Sequence, residues 1–237
     1  MVDHKARTGS GLGAMASSSA SVTAFVPITG QNGERTVKVH LIRHAHGLHN
    51  AAGERDRELY KLEEHEDAEL SELGIAQCKE FSVTNAVKLK KADAVLISPM
   101  RRTLQTAQLA LPLLAEQGTP FLAVESLREE TGLHPCDRRR DRSFLSDSFP
   151  YTDFSHIESE HDPLYFKYKE EREPSAEVFK RCQDFLDWLS TKELDEVVVV
   201  THSAYLRHFL PLCLGEEAPH AENFQNCELR SFLLSLK

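Results

Sequence analysis

The strongest apolar block in the chain is Val197-Val198-Val199-Val200, four β-branched residues in succession. Such a run fits a central parallel strand covered on both faces. Two further runs have strand character: residues 36–42, and residues 92–98, which Pro99 closes. Residues 121–124 predict a short strand and residues 229–236 a last one. Between these runs the apolar spacing turns helical. Ser71 is placed to cap a helix whose stripe would be Leu73, Ile75, Ala76, Cys78 and Phe81. Residues 101–115 read as a helix that Pro112 kinks or ends. Val178, Cys182, Phe185, Leu186 and Leu189 mark one face of a helix beginning at Ser175, and another helix follows from about Ala204. Strands alternating with helices predict an α/β fold, a three-layer α-β-α sandwich with a mostly parallel central sheet.

Two stretches lack this periodicity. Residues 1–24 are rich in Ser, Gly, Ala and Thr and read as a flexible tail, or in part a cloning remnant, since Met15 lies inside it. Residues 25–237 are read as one domain, a length that suits a single α/β unit. Within it, residues 126–174 are charged, aromatic and irregular. A loop region of that length in a compact domain is functional or partly helical.

Composition is ordinary for a soluble globular protein, with 41% apolar and 27% charged residues. Charge is more selective. A formal net charge of -9 argues against nucleic acid and anionic membrane surfaces as partners, so an anionic substrate needs a local basic pocket. The five cysteines are an odd, scattered set without a C-x-x-C, which fits buried thiols in a reducing compartment; a cytoplasmic protein is expected. No run approaches the ~20 apolar residues of a membrane span, and no secretory signal is visible. No pattern assigns an oligomeric state.

In open α/β sheets, sites form beyond the C-terminal ends of the strands. Three such ends carry chemistry. The first reads Arg43-His44-Ala45-His46-Gly47-Leu48-His49-Asn50, the second Ser98-Pro99-Met100-Arg101-Arg102-Thr103-Leu104-Gln105-Thr106-Ala107, and the third Thr201-His202-Ser203. Two histidines and several arginines thus converge on one sheet edge, a combination matched to a dianion such as a phosphate.

These three motifs, in this order, resemble the histidine phosphatase superfamily of phosphoglycerate mutase-like proteins. Leu41-Ile42-Arg43-His44 resembles its Arg-His signature, with Asn50 where that signature often ends. Ser98-Pro99-x-x-Arg102-x-x-Gln105-Thr106-Ala107 is similar to its second arginine motif, and Val199-Val200-Thr201-His202 to its second histidine motif. The likeness covers residues 36–236. It implies a phosphoglycerate mutase-like fold and a phosphatase acting on a small phosphomonoester. His44 would be the nucleophile, passing through a phosphohistidine, with Arg43, Arg102 and His202 around the phosphoryl oxygens. In Leu127-Arg128-Glu129-Glu130, Glu129 fits the family's spacing for a general acid, with Glu130 as the fallback. Two positions depart from the common pattern: His46 stands where Glu or Gln is frequent, and Ser203 where Gly often follows the second histidine. Ser203 and Asn50 are candidate substrate contacts. No cofactor is required, though a mutase would imply a bisphosphate primer.

Blander readings stand beside these. His44, His46 and His49 have metal-ligand spacing, but Arg43 among them would repel a cation, so no metal site is expected. Arg138 and His134 either select a second acidic group on the substrate, or belong to a solvated face on which Asp137 and Asp141 neutralise the arginine cluster. Asn50 either binds phosphate or closes a turn. The acidic run over residues 63–69 reads as a solvated helix face, and His40 and His208 as structural. A phosphoglycerate mutase-type phosphotransferase uses the same histidine and is the near alternative. A non-catalytic phospholigand-binding protein on the same fold predicts a damaged residue set, which is not seen.

Overall fold

The computed structural model describes residues 35–214 and 224–236; the expected tail, residues 1–24, lies outside them. Six strands form one sheet in the order β4-β3-β2-β5-β1-β6: β1 Arg35–Arg43, β2 Ala94–Ile97, β3 Phe121–Ala123, β4 Thr152–Asp153, β5 Glu196–Thr201 and β6 Leu229–Leu236. All neighbours are parallel except β6, which runs antiparallel along β1. The four valines of β5 are fully buried, as expected for the strand between β2 and β1. Successive side chains on a strand point to opposite faces, so Val197 and Val199 serve one core while Val198 and Val200 serve the other.

Helices cover both faces, giving the three-layer sandwich. One face packs against α7 Ser175–Ser190 and α8 Ser203–Leu214 through Val178, Cys182, Phe185, Leu189, Leu206 and Phe209. The other packs against α2 Glu72–Leu89, α3 Arg101–Ala110 and α4 Pro112–Glu116. Pro112 separates the last two: it opens α4 at a position where no N–H is needed. Ser71 caps α2 by accepting from the Gly74 N–H at 3.2 Å. The stripe of α2 differs from expectation. Gly74, Cys78, Phe81 and Leu89 are buried, whereas Leu73 is 55% and Ile75 37% exposed. The cap fixes the helix's rotation: the His46 carbonyl accepts from Ser71, and Gly74 lies hard against it, which turns Leu73 and Ile75 outward.

Residues 125–174 cross over the sheet edge as a roof. They contain α5 Arg142–Ser148, α6 Pro163–Lys167, two 3-10 turns and the short β4. The base of the roof is closed by its own backbone. Glu173 N–H donates to the Thr131 carbonyl at 2.9 Å, and the Glu173 carboxylate accepts from Thr131 N–H at 3.2 Å. Below 131, the carbonyls of Ser126, Arg128 and Glu129 all accept from Arg181 of α7. The acidic run at 63–69 forms one 3-10 turn over Glu63–His65 followed by a turn and loop, instead of a helix face. Glu63 and Glu66 in it meet Arg138 of the roof.

Candidate active site

The C-terminal ends of β1 and β5 lie side by side, with Arg43 opposite Thr201 in the register. That places His44 next to His202, their ring centroids 5.1 Å apart. Both side chains are buried, as is Arg102 at the start of α3. The His44 ring is oriented by its neighbour's backbone: Nδ1 donates to the Ala45 carbonyl at 2.7 Å. The proton therefore sits on Nδ1, and Nε2 keeps a lone pair. Burial first, and then the charges of Arg102 and Arg43, hold the His44 pKa well below its ordinary value, so the ring is neutral.

The backbone beneath His44 is tied at several points. Its N–H donates to the Thr201 carbonyl at 2.9 Å, and its own carbonyl accepts from Asn226 Nδ2 at 3.0 Å. The next N–H, of Ala45, donates to Thr106 Oγ1 at 3.0 Å, and that hydroxyl donates to the Arg102 carbonyl. The nucleophile loop and the arginine helix are thereby one unit.

Arg102 donates from Nε to His202 Nδ1 at 3.3 Å and from its terminal nitrogens to the Cys136 carbonyl at 2.6 Å and Asp137 Oδ1 at 3.3 Å. His202 accepts at Nδ1, so Nε2 carries the proton and donates to Ser98 Oγ at 2.8 Å. Burial and Arg102 lower its pKa strongly, as they do for His49. Arg43 donates to the Phe224 carbonyl at 2.6 Å. Among the described residues, buried Arg43 Nε and His49 Nδ1 have no hydrogen-bond partner. Unpaired buried polar groups cost stability, and here they flank the nucleophile.

Glu129 and Glu130 are adjacent but differently engaged. Glu129 Oε1 accepts from the N–H groups of Glu130 and Tyr205, both at 3.0 Å, and Oε2 from Ala204 at 3.3 Å. It thus sits at the N-terminus of α8, directly after His202. Burial and the charge of Asp137 push its pKa up. Glu130 is paired with Arg172, which also bonds Asp137. Of the two, Glu129 is the one that shares the site with His202 and holds a proton more tightly than an ordinary carboxylate.

The remaining candidates fall in different places. Asn50 Oδ1 accepts from Gly47 N–H at 2.9 Å, closing the turn into α1 Leu48–Arg55. Ser203 opens α8 beside His202. His134 bonds Arg172 at 3.2 Å and packs on Tyr60 at 5.5 Å between centroids. Arg138 donates to Glu66 and Glu63 at 2.8 and 2.7 Å; its partners are these two and not Asp137 or Asp141 as expected. His46 is structural, bridging Ser71 and Glu54. His40 bonds Ser231 and Glu196, and His208 the Ala204 carbonyl. Among the described residues no group of three or more His, Cys, Asp or Glu is placed to hold a metal ion, and no helix is long and apolar enough to cross a membrane.

His49 was not singled out for this site by sequence reasoning. Its ring lies 5.6 Å from that of His44 and 5.9 Å from that of Tyr60, completing a line of rings from His202 to His134. Gly47 makes room for it: a Cβ there would sit 2.5 Å from His49 Nδ1. The Gly47-x-His49 spacing was the available signal. Arg181 and Asp137, which hold the acid loop and Arg102, also went unassigned; nothing local marks them.

Comparison with known proteins agrees with this geometry. The model of the histidine phosphatase superfamily (branch 1) matches residues 39–235. The chain belongs to that superfamily, and is an enzyme of the histidine phosphatase and mutase kind. It is 37% identical over 232 residues to a phosphoglycerate mutase-like protein of Arabidopsis thaliana, covering 84% of this chain and 85% of the relative. Solved structures share the fold. The alpha-ribazole phosphatase of Shigella flexneri superposes with a TM-score of 0.56 at 19% identity, covering 84% of this chain and 94% of that one. The phosphoglycerate mutase of Bacillus anthracis gives 0.56 at 15% identity, covering 84% and 88%.

Proposed function

We propose that the protein is a phosphatase that hydrolyses a small phosphomonoester through a phosphohistidine on His44. The observation that carries this is the His44 ring: neutral, with its proton fixed on Nδ1 toward Ala45, and its Nε2 lone pair left for phosphorus. Nε2 attacks, the ester P–O bond breaks, and Glu129 gives its proton to the departing alkoxide. Oε2 is the oxygen for that proton, since its contact to Ala204 is the longer of Glu129's contacts. Water then attacks the phosphorus, the P–Nε2 bond breaks, Glu129 takes the water's proton, and phosphate leaves with His44 restored. Arg43, with a free Nε, and Arg102 and His202 supply the positive field where charge spreads in the transition state. His134 and Ser203 are the proposed contacts to the rest of the substrate. Asn50 and Arg138, engaged elsewhere, are proposed to shape the site at one remove. Phosphatases of this superfamily work without a cofactor.

The names of the curated relatives favour a second reading, transfer of the phosphoryl group to another hydroxyl, as in a mutase. The Gly47-Leu48-His49-Asn50 segment departs from the most typical mutase signature, which favours water as the acceptor. The test is hydrolysis of an aryl phosphate in the presence of chelator, beside His44→Ala. The variant is expected to lose about 10⁴-fold or more in kcat. Activity retained by the variant would sink the mechanism. Phosphoryl transfer to phosphoglycerate without phosphate release would favour the mutase.

A further inference from the structure

Two histidine rings lie beside the nucleophile, and they are engaged in opposite ways. His202, centred 5.1 Å from His44, has both nitrogens occupied within the protein: Nδ1 accepts from Arg102 and Nε2 donates to Ser98. His49, in the first turn of α1 and centred 5.6 Å from His44, is only 5% exposed. Its buried Nδ1 has no partner, and its ring makes no hydrogen bond among the described residues. The arginines divide in the same way. Each Arg102 nitrogen donates to a protein partner, at His202, Cys136 or Asp137, while the buried Nε of Arg43 donates to none. The unpartnered groups around His44 are thus Arg43 Nε and the His49 imidazole. Buried polar groups without partners cost stability, and the oxygens of a phosphoryl group on His44 would satisfy both.

The His49 ring is also held in place. Tyr60 packs on it edge to face, 5.9 Å between centroids, and Gly47 closes on Nδ1, where a Cβ would lie 2.5 Å away. Nδ1 is shut off from solvent there, which leaves Nε2 as the nitrogen to meet a substrate. Burial first, and then Arg102, His44 and Arg43, hold the ring neutral, so it carries one N–H. A bare nitrogen is cheaper to bury without a partner than an N–H, which puts the proton on Nε2.

We propose that His49 is a further catalytic residue, whose Nε2–H donates to a non-bridging oxygen of the phosphoryl group as that group passes to and from His44. It fills a role that His202, with both nitrogens engaged, leaves open. Charge spreads over those oxygens in the transition state, and a donor already fixed by Tyr60 and Gly47 need not reorganise to meet it. The effect on turnover rests on the phosphatase reading; the contact to the phosphoryl oxygens does not.

The test sets two variants against orthovanadate, which adopts the trigonal-bipyramidal geometry of in-line phosphoryl transfer. His49→Phe keeps a ring for Tyr60 but has no N–H, while His49→Gln keeps an N–H close to the place of Nε2. His49→Phe is expected to lose about 10²–10³-fold in kcat on an aryl phosphate, with KM changed far less, and to bind vanadate more weakly by a comparable factor. His49→Gln should recover at least about tenfold of both losses. A ring that only packed would give the reverse order, since Phe preserves packing better than Gln. In the parent protein with isotope-labelled histidine, vanadate should move the His49 Nε2–H resonance and leave those of His40 and His208 in place, a readout that needs no variant to fold. Vanadate affinity unchanged in His49→Phe, His49→Gln no better than His49→Phe, a His49 resonance that vanadate does not move, or a parent protein that binds no vanadate would each overturn the proposal. Vanadate bound with the expected His49 shift, in a parent protein that does not hydrolyse the ester, would sink the phosphatase reading alone.

Discussion

The floor and the roof of the site are built on opposite physical plans. The floor, at the ends of β1, β2 and β5, is positioned by sheet register and backbone hydrogen bonds: His44 N–H to Thr201, Ser98 N–H to Val200, Ala45 N–H to Thr106. The roof is fastened by buried ions. Arg128 forks onto Asp162 at 2.6 and 2.7 Å, Arg181 grips Glu173, and Asp137 lies between Arg102 and Arg172. Backbone geometry is insensitive to most side-chain changes, while a buried ion without its partner is costly. The floor can therefore keep one chemistry while the roof, tied by paired charges, is fixed in place without a large apolar core of its own.

That contrast can be broken first at Arg128. Arg128→Ala leaves the Asp162 carboxylate buried and unpaired, and is expected to cost about 3–5 kcal/mol in urea unfolding. A cost below about 1 kcal/mol would mean that the roof does not depend on its ions. Next is Asp67, fully buried at the seam, whose Oδ1 accepts from Arg101 N–H at the start of α3. Burial raises its pKa to about 6 from 3.8. The folded state then holds the proton more tightly than the unfolded one. Asp67's contribution to stability is greatest below the unfolded pKa, declines as pH rises between the two values, and is level above about 6. The stability of the parent protein relative to Asp67→Asn should thus fall by roughly 2 kcal/mol from pH 4 to pH 7. A flat difference would remove the raised pKa from the account.

Glu129 sharpens the comparison, because it belongs to the roof but serves the floor. Glu129→Gln should reduce kcat by about 10²-fold on an alkyl phosphate and far less on an aryl phosphate, whose leaving group needs no proton. In the parent protein kcat should fall as pH rises through the raised Glu129 pKa, and the variant should lack that limb. On the acid side His44 stays neutral well below pH 6.5, so protonation of the nucleophile limits activity only at lower pH. The smallest effect is expected at Arg138. Its pairs with Glu63 and Glu66 lie near the surface, and Arg138→Ala should change stability by less than about 1 kcal/mol and KM by less than about twofold. A large rise in KM confined to doubly acidic substrates would instead put Arg138 in contact with substrate.

The same contrast explains what could be read from the sequence. Strand periodicity and the caps are local signals, so β1, β2, β5 and α7 were legible, and with them the residues at the strand ends, His44, Arg102 and His202. The roof was not. Its order arises from pairs far apart in sequence, such as Arg128 with Asp162 and Arg102 with Asp137, and no periodicity encodes them. The stripe of α2 misled for a related reason: the His46 loop, not the apolar spacing, fixes how that helix is rotated. His49 looked like part of a metal-spaced string until Gly47 showed how closely its ring approaches the turn.

The closed base of the roof, where Thr131 and Glu173 bind each other's backbone, has a consequence for descent and for engineering. The segment between departs and rejoins at one point, so it can be exchanged provided that Asp137, which holds Arg102, Asp162, which neutralises Arg128, and β4, which pairs with β3, are kept. Lengthening a loop whose ends are already pinned adds little entropic penalty. New substrate preferences can therefore be acquired by rewriting the rest of that interior while these anchors hold Arg102 and Arg128 in place. A graft cut outside these two residues would sever the Arg181 grip on the acid loop, and one cut between them would inherit it intact.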